Sequence, residues 1–366
     1  MTGAVNVAVS GDGARRIGCL TLDAPKTLNS LTLDMVEVMA ESLLSWRDDP
    51  SIAAVFIDGE GEKAFCAGGD VQALRNSSIG TPGGPCEYAE NFFAREYRMN
   101  YILHTYPKPI ICWGHGVVMG GGLGILAGCS HRVVSERTRI GMPEITIALF
   151  PDVGGSWFLN KMPGHVGRFL ALTAANINAT DALFCGLGTH FLAHEQKSEV
   201  LTALTQAVWH DDDEQNHQIA ADLLAVESSL PQPMAQVAPA VEEINRLMEG
   251  DDLATIVERF LAWEGEDPWM AKARDGLMHG SKLAASWIFR QLNESRDRTL
   301  KEVFESELRL GTNILRYPEF AEGVRALLVD KDRQPKWAYD SVQDIPADVL
   351  NGFFTEPDHA QALELP

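Results

Sequence analysis

Three short segments carry residue types that can do chemistry. The first is AFCAGGD, residues 64–70. Small residues turn the chain sharply there, and two glycines let a backbone N–H face a ligand closely. The second is HGVVMGGGLG, 115–124. Three consecutive glycines cost a helix about 1 kcal/mol each against alanine. That cost makes sense if they form the N-terminal turn of a helix running into ILAG. Free N–H groups and the positive dipole end then face developing negative charge. The third is MPEITIALFPDVGGSWFL, 142–159, where Glu144 and Asp152 stand among apolar residues. Pro143 and Pro151 stiffen the two turns. An apolar setting disfavours the charged carboxylate, which raises its pKa toward acid–base use. Each segment also has a plain reading: an ordinary glycine turn, close helix–strand packing, and a pair of capping carboxylates. A nucleotide phosphate loop fits poorly, because G-x-G-x-x-G is absent and no G-K-[ST] follows.

The elements that must position these segments follow from periodicity. Residues 4–9 and 16–22 read as strands parted by GDG, and 53–58 and 110–114 as short apolar strands. Met35, Met39, Leu43 and Trp46 recur at helical spacing over 33–47, with Thr32 as N-cap. A second helix is expected over 86–104. Residues 76–86, NSSIGTPGGPC, read as a mobile loop. This alternation argues for an α/β core, 1–196. From 197 to 366 strand signals fade, and a mostly helical C-terminal region is expected.

Composition narrows the function. Lys plus Arg is 30 and Asp plus Glu is 51, a formal charge of −21. Nucleic acid would be repelled, so no such partner is expected. No run of about 18 apolar residues exists to span a membrane. The start, MTGAVNVAVSGDG, shows no signal peptide, which points to the cytoplasm, or to an organelle if a transit peptide has been removed. Six scattered cysteines lack a C-x-x-C pair and read as free buried thiols rather than a metal site.

The three segments, in this order and spacing, resemble the crotonase (enoyl-CoA hydratase/isomerase) superfamily, as does the PKTLNSL entry at 25–31. The resemblance implies a crotonase-like spiral of ββα units with two roughly perpendicular sheets. It implies an oxyanion hole for an acyl-coenzyme A thioester, with N–H donors from Gly69 and Gly121. Coenzyme A is then part of the substrate and no separate cofactor is needed. Its adenine would lie near the strand end Ala64–Ala67, so Ala67 is a candidate contact. Lys26 could meet a coenzyme A phosphate, a solvated turn lysine being the alternative. A homo-oligomer is left open.

One departure bears on the reaction class. Hydratases of the superfamily carry a Glu two residues after the triple glycine, where this chain has Gly124. Glu144 matches their other Glu. Gly124 together with PEITIALFPDVGG resembles the 3-hydroxyisobutyryl-CoA hydrolase branch, which acts in valine catabolism. FFAREY, 92–97, resembles that branch's helix and brings Glu96 into the acyl pocket; an exposed ion pair with Arg95 is the alternative. Segments 280–292 and 319–337 resemble its C-terminal half, with HGSK at 279–282 in place of an S-P-T-S turn. The resemblance implies hydrolysis of a short 3-hydroxyacyl-CoA. Glu144 would attack the carbonyl to give an anhydride, or act as general base on water, and Asp152 would orient the 3-hydroxyl or assist proton transfer. A hydratase or isomerase of the same fold and a non-catalytic acyl-CoA-binding protein are the competing readings. His115 reads as a packed loop histidine, and Trp157 and Phe158 as packing residues.

Overall fold

The computed structural model describes residues 4–366; the first three residues of the stretch read for a signal peptide lie outside it. The expected strands form as β1 (Ala4–Ser10), β2 (Arg16–Asp23), β3 (Ile52–Gly59) and β5 (Ile110–Gly114). Between and after them lie β4 (Ala64–Cys66), β6 (Val117–Met119), β7 (His131–Val134), β8 (Arg139–Gly141), β9 (Ile177–Asn178) and β10 (His190–Phe191). They build a six-stranded sheet, β1-β2-β3-β5-β7-β10, and a four-stranded sheet, β4-β6-β8-β9. From β3 to β8 successive strands alternate between the two sheets, so the chain winds as a spiral. Pairing within this run is parallel, and every residue of β3 and β5 is buried, as expected of strands covered on both faces.

Helix α1 (Leu33–Arg47) starts where the Thr32 hydroxyl accepts the N–H of Met35 at 3.3 Å, and its four periodic residues are all buried. Helix α2 (Val71–Gly80) corrects the loop reading of 76–86 over its first half. Asp70 caps it, accepting from the N–H of Ala73 at 3.1 Å. Ser78 is buried and its hydroxyl donates to the carbonyl of Leu315 at 2.5 Å. The polar residues that suggest a loop are thus satisfied by a distant segment. Helix α3 (Glu87–His104) follows, then α4 (Gly121–Gly128) and α5 (Gly155–Leu159).

Beyond residue 196 the described chain carries helices joined by irregular segments, and no strand. Its helices share one hydrophobic core with the strands: Leu20, Ile57 and Phe92 belong to the same buried cluster as Trp287, Phe304 and Phe320. At 279–282, Ser281 caps the next helix and donates to Glu319 at 2.8 Å. All six cysteines are free. No helix among the described residues is long and apolar enough to cross a membrane.

The two halves are also tied by charge. Arg316 meets buried Glu90 of α3 through two bonds, at 2.8 and 2.9 Å. Removing one partner of a buried ion pair leaves the other uncompensated. Arg316→Ala should therefore cost about 3–5 kcal/mol of stability, read as a lower urea midpoint. An unchanged midpoint would show that the pair contributes nothing.

Candidate active site

All seven residues singled out from the sequence line one cavity of about 1030 Å³: Lys26, Ala67, Gly69, Glu96, Gly121, Glu144 and Asp152. Glu96 lies on α3, and Gly121 opens α4. Glu144 opens a short 3₁₀ turn, and Asp152 lies in the turn before α5. Leu327 and Leu328, from the C-terminal half, complete the wall.

The two glycine turns meet. Gly68 (φ +105°) and Gly120 (φ +49°) hold backbone conformations that side chains rarely adopt, and a Cβ on Gly68 would stand 3.6 Å from the N of Gly121. Leu31 exchanges backbone bonds with Gly68 and Asp70, at 2.8 and 2.9 Å. The intervening N–H of Gly69 therefore points away from Leu31 and donates to no backbone oxygen among the described residues. Gly121 is the first residue of α4, where an N–H has no acceptor within the helix. A Cβ on Gly121 would collide with Glu96 Oε1, and one on Gly69 would crowd the Phe92 ring at 3.1 Å.

Three carboxyl groups share this space and all are buried. Burial drives Glu96 and Glu144 well above the ordinary carboxylate range, and the charge of Asp152 adds to both shifts. One oxygen of each, Glu96 Oε1 and Glu144 Oε2, has no hydrogen-bond partner. Glu96 is thus no exposed partner of Arg95. Asp152 is raised less, to about 6. Burial lifts it, while the Tyr97 hydroxyl donates to its Oδ2 at 2.7 Å and restrains the rise.

The geometry adds residues that the sequence reading missed. Tyr97 is one; it stands next to Glu96, and its apolar neighbours mark it only as core. Glu307 is another. It lies in the helix Leu300–Leu315, fully buried, and accepts the N–H groups of Gly154 and Ser156 at 2.8 and 2.9 Å. Those bonds hold the turn that presents Asp152. Burial outweighs the two donors and leaves Glu307 at about 8. The Glu144 segment is held in the same way. Ser281 N–H donates to the carbonyl of Ile145 at 3.1 Å, and Trp287 Nε1–H to that of Leu149 at 3.2 Å. No local signal in FESEL or GSKLAASW announces these long-range roles.

Gly124 is the position at which the resemblance leads one to expect Glu in a hydratase. Even a Cβ there would stand 2.6 Å from the Cβ of Val153. Val153 has φ +55°, an outlying conformation for a β-branched residue. The strained turn after Asp152 thus fills the space that a side chain at 124 needs. His115 lines no part of the cavity; it is buried, with Nε2 2.7 Å from the carbonyl of Gly61. Phe158 is buried, and Trp157 stacks under Lys161 with Nζ 3.4 Å from the ring centroid. No cluster of three or more metal-ligating side chains is found among the described residues.

The Tyr97 bond has a measurable consequence. Tyr97→Phe removes the donor that favours ionised Asp152, so its titration should move upward from about 6. Carbon NMR of the Asp152 carboxyl checks this; a midpoint unchanged or lowered would show that the hydroxyl does not stabilise the carboxylate.

The family model described as enoyl-CoA hydratase/isomerase matches residues 17–354. The chain is 36% identical over 341 residues to a mitochondrial 3-hydroxyisobutyryl-CoA hydrolase of Xenopus laevis, spanning 92% of this chain and 86% of that relative. It is 34% identical over 343 residues to that of Homo sapiens, with the same shares covered. Among solved structures, a carnitinyl-CoA dehydratase from Mycobacterium thermoresistibile superposes with a TM-score of 0.86 at 32% identity, covering 98% of both chains. An enoyl-CoA hydratase from Rhodobacter sphaeroides gives 0.82 at 30% identity, covering 96% of this chain and 97% of that one. The expected α/β crotonase fold is therefore the observed one. The chain belongs to the enoyl-CoA hydratase/isomerase family, in its 3-hydroxyisobutyryl-CoA hydrolase branch.

Proposed function

We propose that this protein hydrolyses a short 3-hydroxyacyl-CoA thioester, of the 3-hydroxyisobutyryl-CoA type, to the free acid and coenzyme A. The observation that carries the proposal is one cavity in which the Gly69 and Gly121 turns stand beside the buried Glu144 and Asp152. The named relatives, hydrolases over most of their length, support the same reading.

When a thioester carbonyl is attacked, charge moves onto its oxygen. Two N–H donors aimed at that oxygen stabilise the transition state more than the ground state. One such donor is worth about 2.7–4 kcal/mol in comparable sites. Glu144 attacks the carbonyl to form an anhydride, or takes a proton from the attacking water. Asp152 orients the 3-hydroxyl or assists proton transfer, and Glu96 faces the acyl group. Ala67 and Lys26 lie on the coenzyme A side of the cavity, the lysine toward a phosphate. The reaction needs no cofactor beyond the coenzyme A of its substrate.

Two observations favour a hydratase or isomerase reading: Glu144 and Asp152 share the cavity with Glu96, and the two superposed structures are named a dehydratase and a hydratase. Against it stands Gly124, where Val153 leaves no room for the missing Glu.

Thiol release from a panel of acyl-CoA thioesters, with and without a 3-hydroxyl, tests the proposal. Release is expected with the short 3-hydroxyacyl members. Enoyl absorbance change without thiol release would replace hydrolysis by hydration. Glu144→Gln should keep binding substrate and lose turnover; full activity would remove Glu144 from the chemistry. In labelled water, a single turnover should place label in the Glu144 carboxyl only by the anhydride route. Gly124→Glu should add no hydratase activity and should lower the melting temperature, because the new side chain meets Val153; a gain of hydration at an unchanged melting temperature would contradict the steric account.

A further inference from the structure

The C-terminal half reaches the cavity through an unusual turn. The helix Pro318–Val324 widens at its end into a single π turn, Arg325–Val329, with the N–H of Asp330 on the carbonyl of Arg325 at 2.9 Å. Single π turns are rare and recur at functional sites. This one carries Leu327 and Leu328, consecutive half-buried residues that both line the cavity.

Two contacts fix where this wall stands. Gly323 packs directly on the 3₁₀ turn that Glu144 opens: a Cβ there would lie 2.6 Å from the Cα of Ile147. The carbonyl of Ala321 accepts Nε–H of Arg75 at 3.0 Å, on α2, whose Val71 and Gln72 also face the cavity. Leu327 follows Gly323 by four residues, a rise of about 6 Å. The leucines thus stand one helical turn on from the contact with Ile147, which itself lines the cavity.

The turn is locked from outside. Arg325 makes two bonds to Glu322 at 2.8 Å each, one to Asp330 at 2.6 Å and one to Asp332 at 2.7 Å, and reaches the carbonyl of Gln334 at 3.2 Å. Lys331 and Arg333 hold φ of +58° and +55°, uncommon for residues with a side chain, and the Arg333 N–H returns to the carbonyl of Ala326 at 3.0 Å. Strained backbone persists only where its surroundings hold it. Arg325 and its three carboxylates line no part of the cavity, so what they hold acts there through the leucines.

We propose that Leu327 and Leu328 set the size of the acyl group that this enzyme accepts, and that Arg325 is the positioning residue that holds them in place. The inference rests on the acyl-CoA hydrolase reading above and names its selectivity. Glu96, Glu144 and Asp152 present polar atoms to the substrate. Apolar walls discriminate hydrocarbon by size, one methylene being worth about 10–200-fold. They do so only if they cannot yield to a longer chain, and the Arg325 bonds supply that rigidity.

A double Leu327→Ala, Leu328→Ala variant should raise the ratio of kcat/KM for 3-hydroxyhexanoyl-CoA over that for 3-hydroxyisobutyryl-CoA about tenfold. Arg325→Ala should move the ratio the same way without touching substrate. An unchanged ratio in the leucine variant would overturn the proposal. So would an equal loss for every thioester, because the leucines would then meet the pantetheine arm that all of them share. A lower melting temperature in Arg325→Ala with the wild-type ratio would reduce Arg325 to a stabilising role and overturn its part. If the wild-type protein releases no thiol from any acyl-CoA, the hydrolase reading fails instead, and calorimetric binding of the same two thioesters carries the test. A preference for the shorter acyl group that the leucine variant loses would uphold the size limit; the same preference in both proteins would overturn it.

Discussion

Four carboxyl groups are buried together here with no cation against them. Glu96, Glu144 and Asp152 face the cavity, and Glu307 lies behind the Asp152 turn. What meets them is a phenol hydroxyl on Asp152 and two backbone N–H groups on Glu307. Burial pushes all four pKa values upward, and the charge of Asp152 adds to the shifts of Glu96, Glu144 and Glu307. The positive ends left to face the cavity are the backbone N–H groups at Gly69 and Gly121. The site is thus set to resist negative charge everywhere except where those dipoles point. In a reaction that builds charge on a carbonyl oxygen, that is the favoured place for it.

Such an arrangement costs stability, and the rest of the chain offsets that cost. The C-terminal helices are the means. They cover the segment 144–156 and take up its stray backbone groups through Ser281, Trp287 and Glu307. The Glu90–Arg316 pair fastens α3 to the same half. The helix that carries Glu96, Tyr97 and Asn100 is therefore clamped on one side by distant residues and faces the glycine turns on the other. The strained φ of Val153 persists because both its neighbours are held: Asp152 by Tyr97, and Gly154 by Glu307.

Much of this was legible from the chain. The strands and the helix 33–47 showed in period and caps, because local burial sets local pattern. The glycine turns and the carboxylates at 144 and 152 were visible as residue types that structure alone would not ask for. Residues 76–80 misled, since Ser78 looks like a loop residue until Leu315 is brought beside it. Tyr97 was hidden among aromatic core residues, and Glu307 in an ordinary amphipathic helix. Their partners lie 55 and about 150 residues away in the chain, beyond any local pattern.

The sequence by itself determined the menu: two backbone donors, a Glu and an Asp in apolar turns, and a glycine where a further carboxylate could have stood. Those depend on residue type and short spacing, which are written locally. Tertiary structure decided that the four groups open on one cavity, that Glu96 is buried and unpaired, and that Val153 closes the space beside Gly124. Each of these is a distance between segments far apart in the chain. Such distances arise only when the two sheets and the C-terminal helices close around a common core.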